Sequence, residues 1–86
     1  MMLFEISDME FRTYNWMARN NFYIPNNYAD HMHDIKRRFQ PNDVVIEWKI
    51  DEYSEEIQFI ISRPMAMQEK YAYTFEDRNL RFMTFV

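Results

Sequence analysis

The feature that most constrains this fold is a run of alternating residues over positions 44–62, VVIEWKIDEYSEEIQFIIS. A repeat of two is typical of β-strands that bury one face, and β-branched and aromatic side chains suit such a surface. We therefore predict a central hairpin that turns at the acidic segment between its halves. The buried side is predicted to carry Val44, Ile46, Trp48, Ile50, Ile57, Phe59 and Ile61.

Two amphipathic helices are predicted before this hairpin. The first covers about residues 8–22, and Ser7 and Glu10 match a capping box at its start. Its predicted core stripe is Phe11, Tyr14, Ala18 and Phe22. The second helix covers about residues 28–39, with the stripe Tyr28, Met32, Ile35 and Phe39.

Further strands are predicted on both sides of these elements. Residues 1–6 alternate weakly and predict a short edge strand, whereas residues 67–75 and 80–86 predict two longer strands. The predicted order is (β)ααββββ. We therefore expect one α+β domain over residues 1–86, an antiparallel meander sheet of four or five strands with both helices on one face.

The chain contains neither glycine nor cysteine. Without glycine it cannot form a Walker A loop or a dinucleotide fingerprint, and Asn or Asp should supply the turn positions with positive φ. Without cysteine it forms no disulfide and no thiolate metal site, which fits a reducing compartment. No apolar run is long enough to span a membrane, and the N-terminus lacks a basic signal-peptide region. We therefore expect a cytoplasmic protein.

Both histidines, His31 and His33, lie in the predicted second helix. Two residues apart on a helix, they point about 200° apart around the axis, whereas helical zinc sites use His at i and i+4. His31 and Asp34 can share one side, but a metal site would need further ligands from elsewhere. We interpret this segment as a solvated polar face, and predict no catalytic residues, no metal and no cofactor.

The acidic tip of the hairpin is the first candidate interaction surface. It carries Asp51, Glu52, Tyr53, Glu55 and Glu56. The simpler interpretation is a solvated turn that discourages edge pairing. The functional interpretation is a docking surface for a partner protein with a basic surface, because complementary charge accelerates association and Tyr53 would serve as an anchor.

The sheet face turned away from the helices is the second candidate surface. It is predicted to present Val45, Ile60, Ala72, Met83 and Phe85. Exposed apolar patches commonly mark protein interfaces. Either a partner protein or a second copy in a homodimer would cover this face, or the N-terminal strand or a helix would cover it within the monomer.

Basic residues on both helices form the third candidate surface. The first helix carries Arg12, Trp16 and Arg19 on its predicted outward face, and Lys36, Arg37 and Arg38 end the second helix. Basic residues at a helix C-terminus usually only complement the helix dipole. Combined with Trp16, they would suit RNA or single-stranded nucleic acid, whereas the net charge of −4 argues against a general duplex-DNA binder.

These features together favour a non-enzymatic protein that acts by contact. The composition, rich in Asn, Met and aromatic residues, resembles that of small accessory proteins that phages direct against host factors. We therefore expect a protein-binding or inhibitor module that blocks a host nuclease, toxin or defence factor. The alternative is a small RNA- or single-strand-binding module that uses the basic and aromatic helix residues.

Overall fold

The computed structural model describes residues 3–86 and shows a five-stranded antiparallel sheet with two helices on one face. The strands lie in chain order in a meander: β1 (Phe4–Glu5), β2 (Val44–Asp51), β3 (Glu56–Ser62), β4 (Glu69–Thr74) and β5 (Asn79–Phe85). The helices are a 3₁₀ turn (Ile6–Asp8), α1 (Met9–Arg19) and α2 (Tyr28–Lys36). The predicted fold class and element order are confirmed, although Met1 and Met2 of the predicted edge strand lie outside the described residues.

The hydrophobic core lies between the helices and one face of the sheet. The sheet contributes Val45, Trp48, Ile57, Phe59, Ile61, Tyr73 and Leu80, and the helices contribute Met9, Met17, Tyr28, Met32 and Ile35. The predicted stripe of α2 is confirmed, with Phe39 packed at the margin of the core. Burial of this apolar surface is the main favourable contribution to folding.

The helix α1 buries a different face from the one predicted. Its buried residues are Met9, Thr13 and Met17. Phe11 is 66% exposed and Tyr14 is 49% exposed, and Ala18 is exposed as well. The predicted stripe is therefore wrong except for Phe22, which packs against the core. The helix has apolar residues on two sides, and the buried side is the one next to Trp16, whose ring contacts those of Trp48 and Phe22.

The start of α1 also differs from the predicted capping box. Ser7 lies inside the 3₁₀ turn, and Asp8, the N-cap of α1, makes no side-chain capping bond. Instead, the backbone amides of Ile6 and Ser7 donate to the carbonyls of Asp43 and Pro41 at 2.8 and 3.1 Å. These backbone hydrogen bonds satisfy amide groups that a side-chain cap would otherwise satisfy. They also connect the start of the helical segment to the residues that precede β2.

A β-bulge in β2 places Val45 on the side opposite to the one predicted. Val45 pairs with Ile61 and Glu47 pairs with Ile60, so Ile46 is an extra residue in β2. An extra residue reverses the alternation on one side of the bulge. Val45 consequently faces the helices and is 0% exposed, so its predicted position on the outward sheet face is wrong.

Four non-glycine residues adopt positive φ among the described residues: Asn21, Glu55, Met65 and Arg78. Only Asn21 is of the type that we expected at such positions. The left-handed conformation costs about 1–2 kcal/mol for an ordinary residue. The turns around Glu55, Met65 and Arg78 therefore adopt their conformation against local preference.

Candidate functional site

A polar network centred on the buried Asp34 joins α2 to β4 and to the exposed Arg78 in the β4–β5 turn. Arg78 donates from Nε and Nη2 to the two carboxylate oxygens of Asp34 at 2.8 and 3.0 Å. Tyr73 donates its hydroxyl hydrogen to Asp34 Oδ2 at 2.8 Å. These hydrogen bonds lower the pKa of Asp34 to about 2, and the bonds from Arg78 have the largest effect. Asp34 is therefore ionised at neutral pH.

His31 is a further buried member of this network. Its Nδ1 lies 2.7 Å from the Tyr73 hydroxyl. That hydroxyl has one hydrogen and gives it to ionised Asp34, so it accepts from Nδ1–H of His31. Burial, followed by the positive charge of Arg78, lowers the pKa of His31. The imidazole is therefore neutral at pH 7, with Nε2 as its acceptor.

The predicted solvated polar face is wrong for two of the residues that it included. His31 is 4% exposed and Asp34 is 7% exposed, whereas His33 is exposed as expected. The spacing of three residues does place His31 and Asp34 on one side of α2. Their partners Tyr73 and Arg78 follow far downstream, and local spacing gives no signal for them. Within residues 3–86, no cluster of His, Cys, Asp and Glu is arranged to hold a metal ion.

A groove of about 410 Å³ lies beside His31, at the end of the sheet where the β2–β3 and β4–β5 turns are found. We call it the acidic groove. Its apolar lining consists of Met17, Phe22, Tyr23, Pro25 and Phe75, and its polar lining consists of His31, Glu52, Glu55 and Glu76. The volume lies within the usual range for a ligand-binding cleft. Apolar contact area and negative charge are thus combined at one end of the molecule.

The predicted acidic tip belongs to the same end. Tyr53 is 95% exposed, and its backbone amide donates to Asp51 Oδ1 at 3.0 Å, which shapes the turn. Glu52 and Glu55 are exposed and also line the acidic groove. The tip and the groove therefore form one continuous acidic end. The sequence predicted the tip as an interaction surface, but it did not predict that Glu76 and His31 lie beside it.

Glu56 differs from the other residues of the predicted tip. It is 9% exposed, its carboxylate forms an ion pair with Arg81, and it accepts a hydrogen bond from Gln58. Gln58 and Arg81 lower the pKa of Glu56. Glu56 is therefore committed to contacts within the sheet, and its predicted availability to a partner is wrong.

The outward face of the sheet is polar at its centre, in contrast to the predicted apolar patch. Ile60 is 6% exposed and lies between Glu47 and Lys70 on the neighbouring strands. Ala72 is 0% exposed and is likewise flanked by polar partners on β3 and β5. Because both helices pack on the other face, the long polar side chains beside these residues are what cover them.

Two residues of the predicted apolar face, both on the edge strand β5, are exposed, but a second bulge moves one of them off this face. Met83 is 42% exposed and Phe85 is 52% exposed. The ring of Phe85 lies 5.0 Å from the ring of Phe82, which is also exposed. Tyr71 pairs with Phe82 and Lys70 pairs with Thr84, so Met83 is an extra residue in β5. Phe85 consequently lies on the helix side with Phe82, and its predicted position on the outward face is wrong.

The structure brings together only part of the predicted nucleic-acid surface. Arg12, Trp16 and Arg19 line one groove along α1, whereas the three basic residues at the end of α2 do not line it. Arg12 lies on the flank of α1 next to β1, with its guanidinium 5.8 Å from the ring centroid of Phe4. Lys36 lies on the opposite flank, where its Nζ pairs with Glu10 at 3.1 Å. Arg19 shares the flank of Arg12, whereas Arg37 and Arg38 are exposed beyond the end of α2.

Trp16 is the aromatic residue that this prediction placed on the outward side of α1. Its ring lies 5.4 Å from that of Trp48 and 5.1 Å from that of Phe22. It is half-buried and packs against the core. The predicted outward position of Trp16 is therefore only partly correct, because its ring packs on Trp48 and Phe22 while Trp16 still lines the groove that contains Arg12 and Arg19.

No helix within residues 3–86 is long and apolar enough to cross a membrane. Comparisons with family models, with curated proteins and with solved structures yield no match for this chain.

Proposed function

We propose that this protein is a non-enzymatic module that binds a partner protein through its acidic end. The observation that carries the proposal is the convergence of Glu52, Glu55 and Glu76 on one groove, whose lining, among residues 3–86, includes no lysine or arginine. A concentration of one sign of charge attracts an oppositely charged partner and accelerates association. The partner therefore carries a basic surface.

The acidic end also offers the apolar contacts that a protein interface needs. Tyr53 and Tyr23 are 95% and 77% exposed beside the groove, and tyrosine is enriched among the residues that dominate binding energy. A basic surface on the partner is also what binds nucleic acid in a nuclease, toxin or defence factor. Occupying it would inhibit such a protein, and the lack of cysteine suits this role in the cytoplasm.

Charge reversal at two exposed positions tests this proposal. Glu52→Lys with Glu55→Lys changes the acidic end, whereas Glu5→Lys with Glu47→Lys makes the same change in net charge at exposed positions outside the groove. Each protein would be used to capture partners from a nuclease-treated cell extract, with quantification by mass spectrometry. We expect basic proteins retained by the wild type and the control, and lost with the acidic-end variant. Equal capture by all three would contradict the proposal.

A second candidate function is binding of single-stranded nucleic acid at the outer flank of α1. Phe11 is 66% exposed, and it lines a groove with Asp8, Arg12, Asn15, Trp16 and Arg19. An exposed ring and nearby guanidinium groups suit base stacking and phosphate contact. A fluorescence-anisotropy titration with single-stranded RNA and DNA tests this, because Arg12→Ala with Arg19→Ala should weaken binding. Absence of binding at low salt would reject this candidate.

A further inference from the structure

We infer that the acidic groove binds an arginine side chain presented by the partner protein, an inference that rests on the protein-binding function proposed above. The groove contains carboxylates from Glu52, Glu55 and Glu76 and the imidazole of His31. Ionised carboxylates accept hydrogen bonds but cannot donate them. A ligand that satisfies them must therefore be a hydrogen-bond donor, and preferably a cation.

His31 provides independent support for a donor ligand. It is 4% exposed, its Nδ1 is engaged with Tyr73, and its Nε2 has no partner among the described residues. Within residues 3–86, the fully buried side-chain nitrogen and oxygen atoms that lack a hydrogen-bond partner are Thr13 Oγ1 and Trp48 Nε1. His31 Nε2 is consequently not sealed in the core and, since His31 lines the groove, is open to it. An acceptor that is open to the groove and held in place by a largely buried ring is available to a hydrogen-bond donor of the ligand.

The apolar lining favours arginine over other cations. A guanidinium group is planar, weakly hydrated and able to stack on aromatic rings, and it presents five donors. Phe75 and Phe22 supply rings in the groove, and the Phe75 ring lies 5.0 Å from that of His31. A lysine ammonium is compact and strongly hydrated, so it loses more hydration free energy than a guanidinium group on entering a groove with this lining. A metal ion is not favoured, since the residues described here include no suitable ligand cluster.

Small probes test this inference directly. The isotope-labelled full chain would be titrated with Nα-acetyl-arginine amide, Nα-acetyl-lysine amide and Nα-acetyl-citrulline amide, and followed by NMR. We expect saturable shifts at Met17 and Phe75 with the arginine probe, binding at least about threefold tighter than the lysine probe, and no saturable binding of the uncharged citrulline probe. No saturation with arginine, or equal binding of lysine or citrulline, would overturn the inference.

Two site-specific readouts complete the test. Replacing Glu52 and Glu76 by Gln should weaken arginine binding about tenfold, whereas Gln at Glu5 and Glu47 should leave it unchanged. The Nε2 resonance of His31 should shift with the same saturation curve as the backbone signals, with the exposed His33 as the internal reference. An unmoved His31 resonance, or equal weakening by both variants, would overturn the assignment to this groove.

The outcomes separate this inference from the function on which it rests. Charge-dependent capture of a basic protein without saturable arginine binding would overturn the arginine inference and leave the proposed function standing. Loss of charge-dependent capture together with an absence of arginine binding would overturn both. Arginine binding in the groove without any charge-dependent capture would overturn the proposed function and hence the role of arginine as a partner's side chain.

Discussion

Tyr73 on β4 donates a hydrogen bond of 2.8 Å to Asp34 on α2, and both side chains are buried. This bond ties the helical layer to the sheet. The same hydroxyl accepts from His31, so the contact that joins the two layers also fixes the orientation of an imidazole in the wall of the acidic groove. Stability and the candidate binding site are therefore linked through Tyr73.

Replacement of Asp34 by Asn should destabilise the protein considerably. The amide removes the charge that Arg78 pairs with and weakens the acceptor of Tyr73. Hydrogen bonds to charged groups contribute about 1.5–3 kcal/mol each, so we expect the free energy of unfolding in urea to fall by about 2–3 kcal/mol. Asp30→Asn, at an exposed position on the same helix, is the matched control. Equal effects of the two changes would contradict the role given to the network.

Stability should decline as the pH falls below the ordinary pKa of histidine. Burial, and then Arg78, lowers the pKa of His31 below its ordinary value of 6.5. The unfolded chain therefore takes up a proton at this position first, and protonation favours unfolding. The contribution of neutral His31 to the free energy of unfolding is complete above pH 6.5 and is lost progressively as the pH falls below that value. Urea denaturation over a pH series should show a shallower decline for His31→Gln than for the wild type and for His33→Gln. Parallel curves for all three proteins would count against the buried, neutral His31.

Two neighbouring glutamates should respond differently to charge reversal. Glu56→Lys removes the partner of Arg81 and Gln58 and places a cation beside Arg81. We expect a loss of about 2–3 kcal/mol in the free energy of unfolding. Glu55→Lys changes an exposed turn position and should stay within about 0.5 kcal/mol of the wild type. Thermal unfolding monitored by circular dichroism distinguishes the two, and a Glu56→Lys protein as stable as Glu55→Lys would show that the ion pair contributes little.

Met65→Gly should stabilise the protein. Met65 has a φ of 58° and is fully exposed in the β3–β4 connection, so its backbone is held in the unfavourable left-handed conformation while its side chain gains no packing. Glycine removes the steric cost but adds freedom to the unfolded chain, which leaves a net gain of about 0.5–1 kcal/mol. The control is Met67→Gly, another exposed methionine whose φ is not positive. A decrease in melting temperature for Met65→Gly would show that the turn does not store this strain.

The sequence predicts elements well where one local pattern dominates. The alternation over positions 44–62 predicted the hairpin, and α2 has a single apolar stripe. The helix α1 has apolar residues on two sides, and only the aromatic partners Phe22 and Trp48 distinguish them. The bulge at Ile46 has no local signature, yet it determines which way Val45 faces.

The candidate site was predictable only in its local part. Glu52, Glu55 and Tyr53 lie in one turn, and charge alone identifies them. Glu76 and His31 join that turn through the meander and through the packing of α2, which no spacing in the sequence specifies. The buried state of His31 depends on Tyr73, 42 positions away. Sequence reasoning therefore found the exposed charge but not the groove beside it.

The central claim is that the acidic end recruits a basic partner, and the association rate constant tests it most directly. It would be measured for a captured partner at low and high salt with the wild type, with Glu52→Lys/Glu55→Lys, and with the control Glu5→Lys/Glu47→Lys. We expect association of the wild type and the control to slow about tenfold as salt is raised, and the acidic-end variant to be equally slow at low salt. An association rate that is the same for all three proteins and insensitive to salt would contradict the claim.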